Sequence, residues 1–186
     1  ASRGSRGRPM VNLIALDGDE KVTAILPVTE DNKQNDNSYV FFATASGMVK
    51  RVQLSQFKNL RANGLRAVEL NDGDNLIGVA ITDGEQDIML FSNEGKAIRF
   101  NESKIRAMGR TAKGVRGMRV TLLANQGIED DDTELEDDSQ DDQDNDSVVA
   151  VSRVVSLVVA PQQGEILCAC ERGFGKRTPV SDFPVK

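Results

Sequence analysis

IMLFSNEGKAIRFNESKI, running from Ile88 to Ile105, holds an alternating apolar stretch, a turn with Gly95, a second stretch and a closing isoleucine. Alternation on both sides of a short glycine-bearing turn predicts a β-hairpin. The same frame fits without gaps on VFFATASGMVKRVQLSQF (Val40 to Phe57) and on ILCACERGFGKRTPVSDF (Ile166 to Phe183). Gly47, Gly95 and Gly173 share one position of the frame, Arg51, Arg99 and Arg177 another, and Phe57, Ile105 and Phe183 close it. A hairpin that occurs three times in one register marks an array of repeats.

A second unit fills the gaps. RGRPMVNLIALDGDEKVTAILPV (Arg6 to Val28) resembles NGLRAVELNDGDNLIGVAI (Asn63 to Ile81), each with a glycine, a strand, an Asp-Gly-Asp turn and another strand. A third copy opens at KGVRGMRV (Lys113 to Val120) and resumes at SRVVSLVVA (Ser152 to Ala160). Gly47 and Gly95 lie 48 residues apart and Gly95 and Gly173 lie 78 apart. Removing an insertion at about 121–151 restores the period. Four short strands in such a repeat form one blade of a propeller-like array, and stacked blades share their cores. The expectation is an all-β chain of about three four-stranded antiparallel blades, an arc of a larger ring, in place of a plain β-sandwich. Helix is confined to single turns near Ser55–Leu60 and Glu102–Met108, and Asp31–Asn37 reads as a polar hairpin loop.

The chain has 186 residues, 23 Lys+Arg and 29 Asp+Glu, for a net charge of −6. That average hides two segments. Twelve of the acids stand between Glu129 and Asp146 with no base among them, and without them 17 acids face 23 bases. The remainder is therefore basic, near +6. The acidic stretch repels itself and has one apolar residue, Leu135, so disorder is expected there. It is also expected to compete with a polyanionic ligand for the basic part.

The bases collect at two kinds of place. Glycine-rich links carry Arg3, Arg6 and Arg8, then Arg61 and Arg66, then Arg106, Arg110, Lys113, Arg116 and Arg119. The second hairpin strands carry Lys50 and Arg51, Lys96 and Arg99, and Lys176 and Arg177. Repetition would set these sixteen side chains as a stripe along a rim, and glycines beside them would let the backbone approach phosphates. Aromatic residues are 4% of the chain, and Phe41, Phe91 and Phe100 alternate as core residues do. Stacking platforms for single strands or RNA are therefore not evident. Duplex DNA, held by its backbone without sequence preference, is the expected ligand. A propeller scaffold for protein partners, with the basic rim incidental, is the other reading.

Several classes fall away. There is no histidine, which removes Ser-His-Asp triads and His metal sites. GFGKRT (Gly173 to Thr178) has Cys170 where a phosphate loop requires glycine. The Asp cluster lacks the central glycine and closing Glu of an EF-hand. Cys168 and Cys170 alternate on one strand, too far apart for an easy disulfide, and are expected as a buried or half-buried pair in a reducing compartment. No apolar run reaches the ~20 residues of a membrane helix. The start, Ala1-Ser2-Arg3-Gly4, lacks an initiator Met and an apolar leader, so the chain is expected to begin inside a longer protein.

The runs RGRPMVNLIAL, DGDNLIGVAI, IMLFSNEGKAIRF, IRAMGRTAKGVRGMR and GFGKRTPVSDFP resemble the C-terminal domain of the bacterial DNA gyrase A protein. The paralogous topoisomerase IV has a similar C-terminal domain, and the resemblance leaves that domain as an alternative assignment. The resemblance implies a six-bladed β-pinwheel, of which residues 1–186 would span about three blades. Its basic rim wraps duplex DNA, so that ATP-driven strand passage by the holoenzyme, a type II DNA topoisomerase, introduces negative supercoils. Partners implied are duplex DNA, the catalytic core of gyrase A and the gyrase B protein, in the cytoplasm. ATP and magnesium would belong to the holoenzyme, with no cofactor, metal or catalytic residue in this chain. The family's Gln-Arg-Arg-Gly-Gly-Lys-Gly box is not present; SRGSRGR and RTAKGVRG are degenerate relatives of it.

Overall fold

The computed structural model describes residues 7, 12, 20–30, 37–58, 64–121 and 152–186. The expected acidic insertion, the first Asp-Gly-Asp turn and all but the last residue of the Asp31–Asn37 loop lie outside them. The three hairpins stand in the expected register: β1 (Tyr39–Thr44) with β2 (Met48–Gln53), β4 (Asp87–Ser92) with β5 (Ala97–Asn101), and β8 (Glu165–Ala169) with β9 (Gly175–Pro179). Each turn closes with the glycine N–H donating to the carbonyl three residues back, Gly47 to Thr44 and Gly95 to Ser92 at 3.1 Å and Gly173 to Cys170 at 2.9 Å. These glycines have φ of +86°, +82° and +81°, a conformation that costs other residues about 1–2 kcal/mol.

Three further strands complete the sheets: β3 (Leu76–Thr82), β6 (Val115–Arg116) and β7 (Val154–Val159). The first sheet runs β3-β1-β2-β6, the second β5-β4-β7, and the third β8-β9, all antiparallel. Repeat and blade are thus offset. β3 precedes the second hairpin in sequence but pairs with the first, and β7 stands in the same relation to the second and third. β6 comes from beyond the second hairpin and returns to the edge of β2. Among the described residues the blades therefore hold four, three and two strands.

β1 and β4 read as nearly continuous apolar runs because both of their faces are covered. Phe41, Ala43 and Val49 face Ile88, Leu90, Phe100 and Val154 across the first interface. Met89 on the opposite face of β4, with Phe91 and Val158, packs on Ile166, Val180 and Phe183 of the third blade. Val40, Phe42, Val52 and Leu54 form a further cluster that Leu26 caps. Phe41 and Phe100 keep 0% and 1% exposure, a burial that stabilises by about 1.5–3 kcal/mol per side chain. A 3₁₀ turn follows each hairpin, at Leu54–Phe57, Glu102–Lys104 and Val180–Asp182. β3 and β7 approach so closely that a Cβ on Gly78 would lie 2.8 Å from the Leu157 Cβ. The blades converge on that side, so β6, β5 and β9 mark the rim.

Candidate nucleic-acid interface

The structure divides the sixteen bases of the expected rim. Arg3, Arg6, Arg8 and Arg61 lie outside the described residues. Lys50, Arg51 and Arg99 turn inward, which corrects their placement in a solvent-facing stripe.

The repeated arginine has a structural reason to repeat. Arg99 sends its Nε–H and Nη2 to Asp87 Oδ2 at 2.9 and 2.8 Å, and its Nη1 donates to the Val180 and Phe183 carbonyls at 2.9 and 3.3 Å. Those carbonyls belong to the 3₁₀ turn of the next blade and its closing phenylalanine. Arg51 does the equivalent one blade earlier. It lies 3.8 Å from Glu102, the residue that opens the second blade's 3₁₀ turn, donates to the Gly84 carbonyl at 3.1 Å, and stacks on the Tyr39 ring at 4.5 Å. Glu102 is itself fully buried and accepts from Thr82 Oγ1 (2.6 Å), Gly84 N–H (2.9 Å) and Gln86 N–H (3.0 Å). Both arginines staple one blade to the next. Arg177 holds the same position, pairs with Glu165 at 2.5 Å, and keeps 69% of its side chain exposed.

Lys50 is 1% exposed and donates to the carbonyls of Ala67 (3.0 Å), Arg110 (2.5 Å) and Ala112 (2.8 Å). Burial, and then the Arg110 charge, push its pKa down, while Glu69 opposes them. The two links it joins run along the rim edge of β2. There Met108 N–H donates to the Arg51 carbonyl at 2.8 Å, β6 pairs Arg116 with Met48, and Gly117 and Met118 donate to the Gly47 carbonyl at 2.9 and 3.2 Å. Two of the link glycines, Gly114 and Gly117, serve this packing. A Cβ on Gly114 (φ +106°) would lie 2.5 Å from the Val49 carbonyl oxygen. Close approach to β2, in place of approach to a phosphate, accounts for it.

Most of the bases that remain form a cluster on one edge. Arg66, Arg106, Lys113, Arg116 and Arg119 are exposed, and Arg110, half-buried, donates to the Arg66 carbonyl at 3.5 Å. All six belong to the links over β2. Lys96 is 72% exposed and 3.5 Å from Glu94, and Lys176 is exposed on β9. Sequence reasoning passed over exposed Arg153 and Arg172. Arg172 stands where the other two turns have Ser46 and Glu94, so no repeat points to it. It also passed over buried Glu102, whose counterparts are Leu54 and Val180.

Cys168 and Cys170 are both exposed, contrary to the buried or half-buried pair expected, because β8 is paired with β9 alone among the described residues. Among those residues no group of three or more potential ligands could hold a metal ion, and no helix is long and apolar enough to cross a membrane.

The family model of the DNA gyrase C-terminal domain, beta-propeller, matches residues 1–29, 38–83, 86–133 and 164–186. The chain belongs to this family. The DNA gyrase A protein of Haemophilus influenzae is 46% identical over 186 residues, covering 100% of this chain and 21% of that one. Its Escherichia coli counterpart is likewise 46% identical over 186 residues, which cover 18% of its own length. The chain thus spans about a fifth of the length of these relatives. Among solved structures, the C-terminal domain of DNA topoisomerase IV aligns with a TM-score of 0.71 at 26% identity, covering 97% of this chain and 47% of that one. A DNA gyrase A C-terminal domain aligns at 0.70 and 22% identity, covering 96% and 49%, and shows the fold alone. The gyrase C-terminal domain family thus accounts for the blades, and the links over β2 carry Arg66, Arg106, Lys113, Arg116 and Arg119 among its exposed cations.

Proposed function

We propose that this chain is a DNA-binding and DNA-wrapping part of a gyrase A protein, and that residues 1–186 form about three blades of a six-bladed pinwheel interrupted by an acidic insertion at about 121–151. The observation that carries the reading is the convergence of Arg66, Arg106, Arg110, Lys113, Arg116 and Arg119 on the rim edge of one blade. Bending duplex DNA by 40–90° costs on the order of 1–6 kcal/mol. One exposed ion pair at up to ~1 kcal/mol cannot offset that, whereas several clustered cations acting together can. Such contacts ignore sequence, because they address phosphates.

In this reading the chain binds duplex DNA and acts within a holoenzyme with the rest of gyrase A and with gyrase B, in the cytoplasm. That holoenzyme binds ATP and magnesium, cleaves DNA, and uses the wrap to introduce negative supercoils. Support comes from the family match and from the gyrase A proteins to which the chain is similar. The test is fluorescence anisotropy with labelled duplexes of unrelated sequence across a salt series. Equal affinities that fall with salt by about 0.9 log units per log unit for each phosphate neutralised are expected. A folded chain that fails to bind duplex at low salt, or that captures a protein through the same edge, refutes the reading.

A further inference from the structure

We infer that Lys50 is a positioning residue for this rim: its buried ammonium ties the link carrying Arg66 to the link carrying Arg110 and Lys113, and so sets the spacing of cations that face the ligand. The inference rests on the DNA-binding reading above. Its geometric half does not.

An ammonium has three N–H donors and no acceptor. Lys50 gives one to each of three backbone carbonyls, 17, 60 and 62 residues away in sequence. Ala67 lies on the first link, Arg110 and Ala112 on the second. Lys50 is 1% exposed, and the three residues that supply the acceptors are half-buried. None of the acceptors carries a countercharge, so this is a costly way to fill a strand position. The repeat shows that packing alone does not demand it. The equivalent position is Ile98 on β5 and exposed Lys176 on β9. Only over β2 do two basic links lie together among the described residues, and there the buried lysine stands.

The links need such a tie. Both carry basic side chains; residues 64–70 cross as irregular chain, and residues 109–114 of the second link lie between its backbone ties to β2 at Met108 and at Val115–Arg116. The links are also joined by the weak 3.5 Å bond from Arg110 to the Arg66 carbonyl. Three donors at one point fix both backbones against β2. Arg66, Arg110 and Lys113 then sit at a constant separation without Lys50 meeting the ligand at all.

The test uses the 186-residue chain and Lys50→Met, which keeps much of the volume and removes every donor. Amide exchange at 64–70 and 106–114 should rise while β1, β4 and β8 stay protected. Duplex affinity at low salt should fall by roughly tenfold, the effect of dispersing one or two phosphate contacts. Adding Lys50→Met to an Arg66→Ala, Lys113→Ala background should cost little more, because Lys50 acts through those side chains. Lys50→Gln, which keeps two donors, carries the same measurements if the Met variant does not fold, and should fall between. Unchanged link exchange, unchanged affinity, or a fully additive loss would each overturn the inference. Failure of the wild-type chain to bind duplex overturns the functional reading instead, and the exchange measurement, which needs no DNA, keeps the two failures apart.

Discussion

Arg99→Met and Arg177→Met make the same substitution at the same position of consecutive repeats, and the structure assigns them very different costs. Arg99 and Asp87 keep only 15% and 20% side-chain exposure. Removing the guanidinium leaves Asp87 Oδ2 without its two donors, though Asn101 still donates to Oδ1 at 3.0 Å. It also strips the Val180 and Phe183 carbonyls of their link to the second blade. Breaking a buried pair costs about 3–5 kcal/mol, and the residual exposure places Arg99 near ~3 kcal/mol. At about 2–4 °C per kcal/mol for a chain of this size, Arg99→Met should lower Tm by roughly 6–12 °C. Arg177 and Glu165 are 69% and 42% exposed. That pair is worth about 0–1 kcal/mol, so Arg177→Met should lower Tm by less than about 4 °C. Thermal melts by circular dichroism measure both, and a salt titration against duplex DNA measures what each does to binding. Arg99→Met should leave the salt slope of the folded protein unchanged. Equal melting shifts for the two variants, or a slope reduced by about 0.9 for Arg99→Met with no change in Tm, would refute the staple.

Gly114→Ala should destabilise by more than about 2 kcal/mol, because it adds a clash with the Val49 carbonyl to an unfavourable φ, whereas Gly64→Ala, with φ +74° and open space around it, should cost about 1 kcal/mol; urea unfolding compares them. Glu102→Gln should cost roughly 2–3 kcal/mol by the same measurement, since one amide oxygen can keep the Gly84 and Gln86 N–H groups but the buried Arg51 loses its countercharge. Lys50 has a pKa held below the ordinary 10.5 by its burial and by Arg110, with Glu69 raising it, so the native state releases this proton before the unfolded chain does. Wild-type stability should therefore rise relative to Lys50→Met as pH climbs toward 10.5, and parallel curves would contradict that sign. Deleting 129–146 should tighten duplex binding, most at low salt, and unchanged affinity would leave the acidic stretch without a competitive role.

The hairpins and their stacking were legible because alternation, turn glycine and period all state the same geometry. The exchange of strands between repeats was not. β6 is two residues, Val115 and Arg116, with no periodicity of its own, and only its approach to β2 through Gly114 and Gly117 defines it. The charges divide in a way that composition could not show. Arg51 and Arg99 recur because each meets the same neighbour, and in a stacked array the neighbour that recurs most faithfully is the next blade. A ligand lying along the rim makes no such demand, since phosphate contacts tolerate displacement along the backbone. Cations that serve it need only face outward, as Arg66, Arg106 and Arg119 do from links of unequal length. Strict repetition of a charged residue in this fold is therefore evidence for a contact between blades, and clustering out of register is the better sign of a surface that binds.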